Sequence, residues 1–135
     1  MRVVLDTNVF VSGVFFGGPP RKILQAWRSG RLNLVISPEI LEEYRRVGEI
    51  LREDYDGVDL GPILHLVTMG AELVAAPPLK ERVVTDPDDD KFLACALASK
   101  AQVIVSGDRA LLKVSGWHGL TVLSPRAFSD EYLDS

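Results

Sequence analysis

Short apolar runs alternate with amphipathic stretches along most of the chain. Val3-Val4-Leu5, Leu34-Val35-Ile36 and Val103-Ile104-Val105 are unbroken apolar runs, the pattern of strands covered on both faces. Leu120 to Leu123 reads as a last strand, and Glu72-Leu73-Val74 as a short edge strand. Between these runs the period changes to that of helices. A helical pattern starts at about Val9, after Asp6-Thr7-Asn8. Gly17-Gly18-Pro19-Pro20 is a loop that opens the next helix, with Ile23, Leu24 and Trp27 on its apolar side. Ser37-Pro38-Glu39 is a strong helix start: a hydroxyl N-cap, proline at N1 and an acid in the first turn. Ile40, Leu41, Tyr44, Val47 and Leu51 form that helix's stripe, with Glu43 on its edge. Gly61 to Met69 is helical, Ala110 to Val114 a short helical turn, and Ser124-Pro125 opens a closing helix with Phe128, Tyr132 and Leu133 inward. Alternating strands and helices predict an α/β fold, a three-layer α/β/α sandwich with a central parallel sheet. One domain over residues 1–135 is expected.

The stretch TDPDDDKFLACALASKAQVIVSGD, Thr85 to Asp108, concentrates the chemistry. Asp86 and Pro87 predict an N-cap and N1 for a helix running to about Ser99 or Lys100. Phe92, Leu93, Ala96 and Leu97 define its buried stripe. Asp89 falls near the middle of that stripe, with Asp88 and Asp90 to either side. A carboxylate aimed along an apolar face is costly unless a cation meets it. Asp6 and Asp108 each follow an apolar strand, where open α/β sheets place their ligands. Two of these acids also have plain readings: Asp6, Thr7 or Asn8 merely caps the next helix, and Glu43 makes a boundary salt bridge.

Composition narrows the choices. The net charge is −4, which argues against binding nucleic acid through overall charge but leaves room for a local basic rim. One cysteine, Cys95, has no internal partner, so a reducing, cytoplasmic setting is expected. His65 and His118 lack neighbours at zinc-ligand spacing. No signal peptide or membrane span is expected, because the first apolar run meets Asp6 at once. Several motifs fail. Asn8 stands where a haloacid-dehalogenase phosphatase needs a second Asp, and Pro19 where a phosphate-binding loop needs Lys. An EF-hand loop fails at Lys91, which replaces the required glycine, and at Leu97, which replaces the required Glu.

Asp6, Glu43, Asp89 and Asp108 are thus the four acids singled out by position. If they converge, they cannot all stay ionised without a cation, and oxygen ligands suit Mg²⁺ or Mn²⁺. Such a cluster fits metal-assisted attack of water on a phosphodiester. VVLDTNVFVSG, SPEILEEYRRV and DPDDDKFLACALASKAQVIVSGD, in this order over almost the whole chain, resemble the PIN (PilT N-terminal) domain family. Within that family the chain resembles in particular the VapC-like toxins of toxin–antitoxin pairs. The resemblance implies a Mg²⁺- or Mn²⁺-dependent endoribonuclease. It assigns the catalytic and metal-binding acids to Asp6, Glu43, Asp89 and Asp108, and supporting roles to Asn8 and Ser106. It further implies an RNA substrate, a cognate antitoxin and a homodimer. Similar sequences often carry another acid two residues after the fourth, where this chain has Ala110. An acidic ribonuclease needs a local basic rim. Arg21, Lys22, Arg45, Arg46, Arg109 and Lys113 border the strand ends and are its candidates. The alternative is a catalytically silent PIN-type RNA-binding or scaffold module; a phosphatase or DNase using the same acids is a third reading.

Overall fold

The computed structural model describes residues 1–134. Five strands form one parallel sheet in the order β3-β2-β1-β4-β5. They are β1 (Arg2–Leu5), β2 (Asn33–Ile36), β3 (Glu72–Leu73), β4 (Val103–Val105) and β5 (Thr121–Leu123). Seven α-helices accompany them: α1 (Thr7–Phe15), α2 (Gly18–Arg28), α3 (Pro38–Arg52), α4 (Leu60–Gly70), α5 (Asp90–Ser99), α6 (Arg109–Leu112) and α7 (Pro125–Phe128). This is the expected PIN-like α/β/α architecture.

The topology places a crevice. From β1 the chain moves outward through β2 to β3, then crosses back and continues through β4 to β5. Right-handed crossovers in opposite directions put helices on both faces. The order reverses at β1 and β4, which are neighbours with Leu5 opposite Val105. Open α/β sheets bind ligands outside the carboxyl ends of such strands. Asp6 follows β1 directly, and Asp108 follows β4 by a two-residue turn.

Packing fixes the helices around that crevice. Val3, Val4, Leu5, Val103, Ile104 and Val105 are all fully buried, as unbroken apolar strands require. Gly13 lets α1 and α2 approach closely: a Cβ there would lie 2.6 Å from Leu24 Cδ1 and 2.9 Å from the Pro20 carbonyl oxygen. Tyr44 is fully buried, stacks on Phe10 with ring centroids 4.1 Å apart, and donates its hydroxyl to the Leu5 carbonyl at 2.6 Å. One side chain therefore ties α3 to α1 and to the end of β1. It also sets which way the neighbouring Glu43 points.

Some local expectations change. The helix predicted from Asp86 begins instead as a tight 3₁₀ turn, Pro87–Asp89, with α5 starting at Asp90. Asp86 still caps, accepting from the Asp88 amide at 3.0 Å. Leu97 is not on the buried stripe but exposed, at 42%. Alanines on both flanks let α5 sink into the fold over a wider arc, so Cys95 and Ala94 are buried in its place. Tyr132 is also exposed, because α7 ends at Phe128 and passes into a wider π-type turn over Ser129–Leu133. Val74 lies beyond β3, although its amide still donates to the Ile36 carbonyl at 2.8 Å. Among the described residues no helix is long and apolar enough to cross a membrane.

Candidate active site

Asp6, Thr7, Asn8, Glu43, Asp89 and Asp108, with Val47 and Phe92, line one small open cleft of about 100 Å³ at the carboxyl ends of β1 and β4. The four acids of the sequence analysis therefore meet, from two strand ends and two helices.

Asp6 is buried and fully engaged. Its Oδ1 accepts from the Val9 amide at 2.8 Å, so it does cap α1. Its Oδ2 accepts a short hydrogen bond from the Ser106 hydroxyl. The capping and site readings are thus both true of one side chain. Ser106 is fully buried and in turn accepts from the Asp108 amide at 2.9 Å. This hydroxyl links the ends of two adjacent strands. Asp108 repeats the pattern of Asp6: its Oδ1 caps α6 by accepting from the Ala110 amide at 2.8 Å. Burial raises the Asp6 pKa, with further pushes from Asp108 and Glu43, against the lowering effect of its two hydrogen bonds.

Asp89 is the least satisfied of the four. It is buried, and its Oδ2 has no hydrogen-bond partner. Burial, then the approach of the Asp108 carboxyl group to within proton-sharing reach, pushes its pKa up to about 7. Asp88 is exposed, and Asp90 lines a different hollow with Glu39 and Lys91. Within the acid block, only Asp89 enters the cleft.

Glu43 is held from two sides. Thr7 donates to its Oε2 at 2.6 Å, and Lys91 Nζ lies 3.1 Å from its Oε1. Arg46 lies one turn along α3, 3.6 Å from the same oxygen. Sequence reasoning passed over Thr7 and Lys91 as parts of the site. Thr7 had a usable signal, a hydroxyl next to a strand-end acid. Lys91 had none, since nothing local pairs it with α3.

The candidate basic rim divides. Arg45 pairs with Glu42 and with Glu49, the latter at 3.1 Å, along the outer face of α3. Arg21 donates to the Gly13 carbonyl at 3.1 Å and to the Val14 carbonyl at 3.3 Å, closing the end of α1. Lys22 faces Asp134 at 3.6 Å. These three are occupied away from the cleft, for reasons of helix facing that the sequence alone did not show. Arg46 touches the cleft acid Glu43, and Arg109, exposed, adjoins Asp108. Lys113 is exposed just past the end of α6. Asn8 is exposed at the cleft mouth.

The donor set suits a hard divalent cation: all oxygen, net negative, with one buried oxygen lacking a partner. Asp6, Asp89 and Asp108 would hold it. Among the described residues no three acids stand close enough to bind one ion together as arranged. Several of the contacts would therefore run through water, as is usual for Mg²⁺. A larger, mostly apolar hollow of about 480 Å³, between Pro77–Leu79, α5 and Trp117, contains none of these four acids.

Comparison with known proteins identifies the family. Residues 2–110 match the family described as PIN domain, and all four acids lie within the match. An uncharacterized protein of Methanocaldococcus jannaschii is 33% identical over 146 residues, an alignment covering 98% of this chain and 92% of that protein.

Proposed function

Since the chain belongs to the PIN domain family, whose members are typically nucleases, we propose that it is a Mg²⁺- or Mn²⁺-dependent endoribonuclease, the toxin of a toxin–antitoxin pair. The observation that carries the metal and the chemistry is the Asp89 carboxyl group. It is buried and lacks a partner at one oxygen, and burial with Asp108 nearby raises its pKa to about 7. A divalent cation held by Asp6, Asp89 and Asp108 would supply positive charge for a phosphodiester and ease attack by water near neutral pH.

The chain's own groups do the rest. Ser106 and the Val9 amide keep Asp6 in one orientation. The Ser106–Asp108 amide bond carries that alignment to the second strand end. Glu43, fixed by Thr7 and Lys91, lines the same cleft from α3 and is placed to orient a water or accept its proton. Arg46 and Arg109 offer charge to flanking phosphates at the mouth. Asn8, exposed beside Asp6, is a donor for the same backbone.

The toxin role, the antitoxin and a homodimer rest on the sequence resemblance. An antitoxin would have to cover the cleft with a basic or apolar segment. The test is incubation with cellular RNA and Mn²⁺, mapping of cut ends, and single-stranded DNA as competitor, with Asp6→Asn as control. Metal-dependent cuts absent in Asp6→Asn are expected. RNA binding without cuts would favour the silent binding module, and preferential DNA cutting would sink the ribonuclease reading.

A further inference from the structure

Lys91, just past the acid block, lies outside the cleft lining but pairs with one of the cleft's acids. Its ammonium lies 3.1 Å from Glu43 Oε1, and its side chain is only 21% exposed. Glu43 is 16% exposed, so this is not a loose surface pair. The remaining Glu43 oxygen is taken by Thr7 at 2.6 Å. The second cation near Glu43, Arg46, is 3.6 Å away and far more exposed. Asp6, Asp89 and Asp108 have no comparable partner: none of them is ion-paired among the described residues.

Many nucleases place two metal ions about 3.5–4 Å apart, one for the attacking and one for the leaving oxygen. Here the carboxylate that a second ion would need, Glu43, is already paired with a fixed positive charge. We propose that Lys91 is a positioning residue that stands in for a second divalent ion. It holds Glu43 aimed, and confines the metal to a single ion on the Asp6–Asp89–Asp108 side. Lys91 acts through Glu43 and does not itself contact the substrate. This rests on the metal-dependent reading of the cleft.

Three features support the assignment over a plain surface salt bridge. The pair joins two different elements, α3 and α5, rather than neighbours on one helix. Its two members are both mostly covered, so solvent screens them weakly. Removing Lys91 would leave a mostly covered carboxylate without its closest cation in a cleft that three aspartates already line.

The experiment is Mn²⁺ titration by calorimetry, with cleavage rates, on the wild type, Lys91→Met, Lys91→Arg and Glu43→Gln/Lys91→Met. The wild type should bind about one Mn²⁺ and Lys91→Met about two, because Glu43 is freed for a second ion. Lys91→Arg and the double variant should return to about one. Lys91→Met should lose roughly ten- to a hundredfold in kcat with KM little changed, as for a misplaced group, and Lys91→Arg should restore most of it. Two ions in the wild type, or one in Lys91→Met, overturns the proposal. So does a second ion in the double variant, which would mean that Lys91 acts independently of Glu43. Asp89→Asn tests the underlying reading separately: if it leaves wild-type Mn²⁺ binding intact, the metal assignment of the cleft fails whatever Lys91 does.

Discussion

The two walls of the cleft carry the same kind of group in opposite states. On one wall Asp6, Asp89 and Asp108 crowd together with no cation of their own, and Asp89 is buried with one oxygen unpartnered. On the other, Glu43 has an ammonium at 3.1 Å and a hydroxyl at 2.6 Å. The aspartate wall meets its charge with a raised Asp89 pKa that favours a proton, the glutamate wall with an internal ion pair. A wall already neutralised from within has little to gain from an ion in solution. A wall whose acid favours a proton has much to gain, because a divalent cation can replace that proton.

The sharpest way to break this contrast is Asp89→Asn. It removes the ionisable group from the aspartate wall and keeps its shape. Cleavage should fall by more than about a hundredfold, the upper range for losing even a residue that only supports a metal ligand. Melting should show an intact fold. Asp88→Asn, on an exposed neighbour, should cleave normally; a dead Asp88→Asn beside an active Asp89→Asn would refute the site.

Ser106→Ala comes next. It deletes the hydroxyl that joins Asp6 to the Asp108 amide. The buried Asp6 oxygen loses its partner, so about 1–3 kcal/mol of stability should go. Metal affinity or activity should fall roughly ten- to a hundredfold. Calorimetry and Mn²⁺ titration of one preparation would test both, and unchanged metal affinity would show that the aspartates do not need the link.

The contrast also predicts how stability follows pH. Asp89 in the folded chain holds its proton up to about 7, whereas an unfolded Asp releases it near 3.8. Between those values the folded state binds more protons than the unfolded state, so this group makes stability fall as pH rises. Metal-free protein should lose melting temperature from about pH 4 to pH 7 on this account. Mn²⁺ should reverse the trend at the upper end, and Asp89→Asn should flatten it. A metal-free melting temperature that climbs by the same amount in wild type and Asp89→Asn would remove Asp89 from the argument.

The smallest effects belong to the rim. Reversing Arg45 should leave cleavage and its salt dependence unchanged, since that side chain serves Glu42 and Glu49 on an exposed face. Its loss should leave stability nearly unchanged, as is usual for exposed ion pairs. Reversing Arg46 together with Arg109 should weaken RNA binding and flatten its salt dependence by roughly one unit of slope per lost phosphate contact. Equal behaviour of Arg45 and Arg46 would mean that the cleft mouth is not where RNA lies.

The sequence by itself determined the strands, the caps and the three aspartates. Unbroken Val, Leu and Ile runs have few alternatives to buried parallel strands, and an acid or Ser-Pro at their ends dictates where the next helix starts. Asp89 was legible because helical spacing ties it to Phe92, Leu93 and Ala96, all of them buried. Tertiary structure alone decided what each acid meets. The Ser106–Asp6 bond spans a hundred residues of sequence and the Thr7–Glu43 bond 36, distances over which no local pattern carries information. Neighbours on a helix face about 100° apart, so whether Arg45 or Arg46 turns to the cleft depends on how Tyr44 docks against Phe10 and Leu5. Lys91 meets Glu43 because α5 and α3 pack side by side. That contact is fixed by the shape of the core, which the order of apolar and polar residues restricts but does not specify.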